Sequence, residues 1–176
     1  MSTFLSLGLL AVLVLLLVTF AWGFFMDAPF LPTPKRVVRE MIRLAGLTGN
    51  ETVMDLGAGD ARVLLAAKKQ YPSIRAIGCE KLPFIWALGK CNVLLSRKAV
   101  EFRLGDALAQ DVGDADCIFL YLFPEIMRTL EGKFDRELKP GTRVVSFVFT
   151  FPGRKPVQEV PLPWLGGTGT VRLYEW

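Results

Sequence analysis

The stretch VMDLGAGDARV, residues 53–63, decides the fold. An apolar run ends in an acid, Asp55, breaks at Gly57 and Gly59, and resumes with helical character from Asp60 onward. A strand that stops at a glycine turn and feeds straight into a helix opens a βα unit. Outward from it, short apolar runs alternate with amphipathic ones. Strands are expected at residues 52–56, 74–80, 99–104, 116–122 and 143–150. Helices are expected at 60–70, 83–96 and 124–137, the last stopped by Pro140 and Gly141.

Strands that are nearly all apolar and separated by helices indicate a parallel sheet covered on both faces. The tail differs, because KPVQEVPL and GTVRLYEW are joined through PWLGGTG without a helix, which reads as an antiparallel hairpin. Residues 35–176 are therefore expected to form one α/β domain. Its sheet is Rossmann-like, seven-stranded and mostly parallel, with the hairpin at its C-terminal end.

Ahead of the domain, FLSLGLLAVLVLLLVTFAWGFFM, residues 4–26, carries no charged side chain. At about 1.5 Å per residue it is long enough for a hydrocarbon core of about 30 Å, so residues 1–26 read as a single transmembrane helix. A cleaved signal peptide is the alternative. Against it stand the lack of Lys or Arg before the run, a run longer than the usual ~7 to 15 residues, and no A-x-A-like site. Trp22, Phe24 and Phe25 sit where aromatics anchor at an interface, and Lys35, Arg36, Arg39 and Arg43 follow. The positive-inside rule then places the domain in the cytoplasm or an equivalent compartment, its basic residues facing anionic lipid headgroups.

Residues 27–34 form a Pro-rich linker. Thr33 is expected as an N-cap and Pro34 as the first helical residue. The helix they open puts Val37, Val38, Met41, Ile42 and Ala45 on one face and ends near Gly46 or Gly49.

Composition removes whole classes of chemistry. With no histidine, His-dependent triads and zincin-type sites are excluded. Cys79, Cys91 and Cys117 are odd in number and lack metal-like spacing, which fits a reducing compartment and gives no reason to expect a metal. A net charge of +4 is modest and carries no nucleic-acid footprint.

In an open parallel sheet the ligand crevice lies beyond the carboxyl ends of the strands. A lone G-x-G is equally a tight strand-to-helix turn, but the neighbouring strand ends add to it. Glu80 ends the second strand about 20 residues on, where a carboxylate accepts from a ribose diol. Asp106 and Ala107, in GDAL after the third strand, are placed to meet an adenine. Acids are rarely buried unpaired, so three of them at successive strand ends are hard to read as core. Asp55 repels a pyrophosphate and attracts an amino group and a sulfonium, which favours S-adenosylmethionine over a dinucleotide.

VMDLGAGDARV, IGCE and RLGDAL together resemble the class I S-adenosylmethionine-dependent methyltransferases, over nearly the whole chain after residue 30. The family's third glycine is Ala61 here, a departure that bears on how closely the helix approaches the cofactor. PFLPTPKRVVREMIRLAGL, LYLFPEIMRTLEGKFDRELKPGTRVVS and the apolar N-terminus narrow the likeness. They resemble a membrane-anchored subgroup that includes the mitochondrial lysine methyltransferase of the ATP synthase c-ring. The resemblance implies a protein-lysine substrate, with Thr33, Pro32, Asp55, Gly57, Gly59, Glu80, Asp106 and Ala107 around the cofactor. For Pro32 and Thr33, a linker with an N-cap is the plainer reading.

The loop after the fourth strand lies beside the transferred methyl in such enzymes and reads LYLFPE, not the N/D-P-P-Y/F of amide and adenine methyltransferases. Tyr121, Phe123 and Pro124 are the candidate catalytic residues. Either the two aromatics wall an apolar channel that desolvates a lysine amine, or they are core at a strand end. Glu125 is a first-turn helix charge or a contact for a cationic substrate. Cys117, inside a strand, reads as core and not as a nucleophile. Asp111, Asp114 and Asp116 read as a solvated loop, and residues 153–155 as a surface turn. A lipophilic small molecule is the alternative acceptor, and a non-catalytic membrane scaffold the alternative class.

Overall fold

The computed structural model describes the backbone of residues 2–25 and 31–176, and the side chains of 6–18 and 31–176. After an N-terminal helix α1 (Ser2–Phe25), the domain runs α2 (Lys35–Ala45), β1 (Thr52–Leu56), α3 (Arg62–Gln70), β2 (Arg75–Glu80) and α4 (Pro83–Ser96). It continues with β3 (Val100–Leu104), a 3-10 turn (Ala107–Ala109), β4 (Cys117–Leu120), α5 (Pro124–Glu137), β5 (Arg143–Phe147), β6 (Gln158–Trp164) and β7 (Gly167–Glu175). The seven strands form one sheet in the order β3-β2-β1-β4-β5-β7-β6. The first five are parallel, β7 is antiparallel to β5, and β6 is antiparallel to β7.

Strand order reverses between β1 and β4, which opens the crevice beyond their carboxyl ends. One face of the sheet packs under α2, α3 and α4 through Met41, Leu64, Val93, Phe102, Phe119 and Phe147. The other packs under α5, where Met127, Leu130 and Phe134 lie on Met54, Ile118, Leu120 and Val144. The strands are apolar on both sides because both faces are covered.

Several boundaries depart from the sequence reading; α3 begins at Arg62 and not at residue 60, and β4 ends at Leu120 and not at residue 122. Helix α2 starts one residue later than expected: Pro34, at φ −60° and ψ 145°, takes the N-cap position, and no side chain caps the helix. Its carbonyl accepts from Val38 N at 3.0 Å, leaving Thr33 outside the helix and buried. At the other end Gly46 closes α2 in a left-handed turn, φ 55°. Strand β5 stops at Phe147 and not at residue 150, because Val148 turns to φ 69°. Asp116 belongs to no solvated loop, since it accepts from Thr52 N at 2.7 Å, pairs with Lys139 at 2.6 Å and ties the start of β1.

Helix α1 is apolar and exposed from Leu7 to Val18. Among the described residues no helix is long and apolar enough to cross a membrane. The side chains of Trp22, Phe24 and Phe25, residue 26, and residues 27–30 of the linker lie outside the described residues. The turn at residues 153–155 is occupied internally: Gly153 N donates to the Glu131 carboxylate, and Arg154 pairs with Asp135 at 2.8 Å and lies over Trp176.

Candidate active site

The loop from β1 to α3 is built on three alternate left-handed positions. Gly57 sits at φ 80° and Gly59 at φ 56°, and Ala61, which caps α3, at φ 66°. Glycine adopts the first two freely, whereas an alanine in that region carries strain. Ala61 is fully buried, so no larger side chain would fit at this left-handed position without rearrangement.

The loop is fastened from below. Gly57 N and Ala58 N both donate to Cys79 O on β2, at 3.0 and 2.8 Å. Glu80, the last residue of β2, is 8% exposed; its Oε2 accepts from Gly59 N at 3.0 Å and its Oε1 from Leu82 N at 2.9 Å. A carboxylate oxygen accepts more than one hydrogen bond, so these contacts do not exhaust the group. Burial pushes the Glu80 carboxyl up, and those backbone N–H groups pull against it.

Asp55, on β1 between Gly78 and Phe119, is 5% exposed. Burial, followed by the neighbouring Glu80 and Asp60 carboxylates, pushes it up to about 8. Asp60 is neutralised by Arg62, whose Nε and Nη2 donate to its two oxygens at 2.8 and 2.6 Å. Arg62 Nη1 reaches on to Thr33 O at 2.9 Å, joining the segment before α2 to the start of α3.

A cavity with about 610 Å³ of empty space, its open mouth included, is lined by Pro32, Thr33, Asp55, Gly57, Gly59, Asp60, Arg62, Glu80 and Tyr121. The structure thus gathers Pro32, Thr33, Asp55, Gly57, Gly59, Glu80 and Tyr121 of the sequence-derived set in one place. Asp106 and Ala107 lie off its lining. Asp106 instead caps the 3-10 turn through Leu108 N at 2.9 Å and pairs with Lys81 at 2.9 Å, which together hold its carboxyl below the ordinary value although burial opposes them.

Phe123 and Pro124 also lie off the lining, at the N-cap and first residue of α5. Phe123 packs on Phe149 at 5.3 Å between ring centroids. Glu125 is exposed in the first turn of α5, as a helix-dipole charge would be. Cys117 is fully buried, and burial pushes its thiol up to about 12, so it is core.

Residues that the sequence reading passed over hold the loop from behind. Asn92 Nδ2 donates to Asp60 O at 3.1 Å, and Gly89 brings α4 close enough that a Cβ there would meet Gly59 O at 2.7 Å. Gly89 and Asn92 lie three apart, on one face of a largely apolar helix that also carries Lys90 and Ser96, the one signal that pointed to them.

Three carboxylates, Asp55, Asp60 and Glu80, line the cavity against one guanidinium, Arg62, where an anionic ligand would need N–H groups and cations. This set suits a ligand with a diol and positive charge, as S-adenosylmethionine has. The description "ANTKMT methyltransferase domain" fits residues 55–158, more than half of the chain. The chain belongs to this methyltransferase family.

Relatives extend the match beyond that segment. A protein-lysine N-methyltransferase of Saccharolobus islandicus is 31% identical over 150 residues, covering 83% of this chain and 92% of that protein. The human lysine N-methyltransferase of the ATP synthase c-subunit is 26% identical over 132 residues; the match takes in 73% of this chain and 54% of the human protein. Among solved structures, an RNA methyltransferase from Salinibacter ruber in complex with S-adenosyl-L-homocysteine superposes with a TM-score of 0.75 at 33% identity. That match covers 82% of this chain and 93% of the other. The methyltransferase is an S-adenosylmethionine-dependent enzyme by family and fold.

Proposed function

We propose that this methyltransferase transfers the methyl group of S-adenosylmethionine to a lysine amine of a protein, and that α1 tethers it to a membrane with the domain on the cytoplasmic or equivalent side. The observation that carries the lysine reading is the position of Tyr121. It lines the acid-walled cavity and at the same time packs at 5.0 Å on Phe147 and 6.3 Å on Phe149. The methyl acceptor thus approaches along an aromatic wall. The Saccharolobus islandicus relative, matched over nearly its full length, is named for the same reaction.

When bound, S-adenosylmethionine supplies a methyl group on a sulfonium that leaves as a neutral thioether. The remaining tasks belong to this chain. Asp55, Glu80 and the Gly57 and Gly59 backbone hold the cofactor, with Thr33 closing over it from the α2 side. A lysine amine must lose its proton before it attacks, and the apolar rings around Tyr121 favour the neutral form by desolvation. Burial pushes the Tyr121 phenol up, so it stays protonated and its oxygen is free to accept from the amine. Alignment of the amine at about 3 Å from the methyl then accounts for most of the rate gain. Asp106 and Ala107 are left to the adenine rim, and Phe123 and Pro124 to the outer channel.

The membrane tether rests on the uncharged stretch at residues 4–26 and on the four basic residues that follow it. A lipophilic small molecule is the second reading, favoured by that same stretch. Purified full-length enzyme is incubated with methyl-labelled cofactor and membranes from cells that lack this protein. Label recovered as methyl-lysine in a protein band supports the proposal; label confined to the organic extract or to RNA refutes it.

A further inference from the structure

The β6–β7 hairpin brings a second aromatic group to the site that the cofactor cavity does not use. Trp164, the last residue of β6, stacks on Phe147 at 5.9 Å with 10° between ring planes and meets Tyr121 edge-on at 6.5 Å. Space for this stack is made by Gly169 on β7, where a Cβ would come within 2.7 Å of Trp164 Cδ1 and 2.8 Å of the Phe147 ring. Three partly buried rings, Tyr121, Phe149 and Trp164, thus form one wall beside the cavity, backed by the fully buried ring of Phe147.

Two backbone outliers flank that wall. Val148 is a β-branched residue at φ 69°, a conformation such residues avoid. It is pinned there by its N–H on Thr170 O at 2.9 Å and by Arg172 Nη1 on its carbonyl at 2.7 Å, and the turn swings Phe149 onto Tyr121. At the hairpin tip Leu165, beside Trp164, sits at φ 43° with 83% of its surface exposed. Asn, Asp or Gly would take that turn position without strain, and a bare leucine there has no packing reason. Strain at such positions concentrates where chains bind or react.

We propose that Trp164 and Leu165 form the outer lip of the acceptor channel and select a protein substrate whose target lysine is flanked by apolar side chains. This rests on the protein-lysine reading above. Trp164 confines the aliphatic stem of the lysine against Tyr121, while Leu165 meets the neighbouring residue of the substrate chain. The continuity of the wall with the cofactor cavity through Tyr121 is what places this lip at the acceptor's entrance and not at a remote face.

The test uses the full-length enzyme, labelled S-adenosylmethionine and two soluble peptides, with leucines or serines flanking one lysine. The wild type is expected to favour the leucine peptide by about tenfold or more in kcat/KM, the order a hydrophobic pocket supplies. Leu165→Asp, which alters an exposed side chain, and Trp164→Ala should abolish the preference through KM while cofactor affinity stays unchanged; Trp164→Phe should restore most of it. Equal rates on both peptides, or a preference that survives Leu165→Asp and Trp164→Ala, overturn this inference and leave the lysine reading intact. A preference that appears only when the peptides are bound to lipid vesicles assigns the tip to the bilayer and overturns it too. Label in neither peptide but in lipid extract overturns both readings together.

Discussion

Glu80 Oε2 accepts from Gly59 N at 3.0 Å, so the acid expected to meet the cofactor also holds the β1–α3 loop in place. Replacing Glu80 is therefore not a pure binding change. Glu80→Ala strands the Gly59 and Leu82 N–H groups, each a buried donor whose loss of a partner costs about 1–3 kcal/mol. Glu80→Gln keeps the volume but sets an amide donor against one of the two. The expectation is cofactor affinity lost in both variants, with a lower thermal midpoint in the alanine variant; calorimetric titration and melting curves measure the two effects separately. An alanine variant with unchanged melting and unchanged affinity would contradict the geometry.

Asp55 predicts a pH dependence whose sign can be worked out. Its carboxyl is pushed to about 8 in the fold, well above the 3.8 of an ordinary aspartate. Between these values the folded chain holds a proton that the unfolded chain releases, so stability without cofactor falls as pH rises from about 5 to 8, by up to about 1.4 kcal/mol per pH unit. Glu80 shifts in the same direction. Glu51 opposes them at the acid end. Burial raises it, but hydrogen bonds from Thr48 and Gly49 hold it at about 2, so its contribution disappears only as pH falls toward that value. The ligand-free protein should be most stable in mildly acidic buffer, and Asp55→Asn should flatten the decline toward pH 8.

The same group links cofactor affinity to protons. A cationic ligand beside Asp55 favours the carboxylate, so binding at pH 6.5 should release a proton and affinity should rise toward pH 8. Titrations in buffers of different ionisation enthalpy measure that release directly. No proton release at pH 6.5 would place the sulfonium or amino group away from Asp55.

Gly89 gives a prediction at a residue outside the cavity lining. An added methyl would meet Gly59 O at 2.7 Å and the Phe102 ring at 2.6 Å, and a backbone carbonyl has little room to retreat. Overpacking of this kind costs about 1–3 kcal/mol. Gly89→Ala should also displace the loop and weaken cofactor binding severalfold, read by titration. Asn92→Ala, which removes only the tie to Asp60 O, should show a milder loss of affinity with little loss of stability.

What could be read from the sequence follows from where the signal is local. β1 and the start and end of α4 and α5 coincide with the reading, because alternation of apolar strands with helices and the punctuation by Pro83, Pro124 and Pro140 act over a few residues. The acids at strand ends were legible for the same reason. The position of Asp106 after β3 was legible in the same way, but not its contacts in the fold, where it accepts from Leu108 N and pairs with Lys81. Nor could sequence reveal the aromatic wall. Trp164 and Tyr121 are brought together by the insertion of β7 between β5 and β6, and the end of β5 at Val148 depends on Thr170 and Arg172 from another strand.

Arg62 carries the last prediction, because it is the bridge that a closing segment needs. One guanidinium neutralises Asp60 with two hydrogen bonds and reaches Thr33 O with a third, so one side chain ties Thr33, at the edge of the cavity, to the loop before α3. Arg62→Ala would release that segment and leave the Asp60 carboxylate facing Asp55, which lifts Asp55 further. Lysine has one charged nitrogen where arginine has a planar fork, so Arg62→Lys cannot serve both partners at once. The expected result is a loss of cofactor affinity of about tenfold in the alanine variant, with lysine restoring only part, and a faster cofactor off-rate in both. Full recovery by lysine would mean that charge alone matters and that the contact to Thr33 is dispensable.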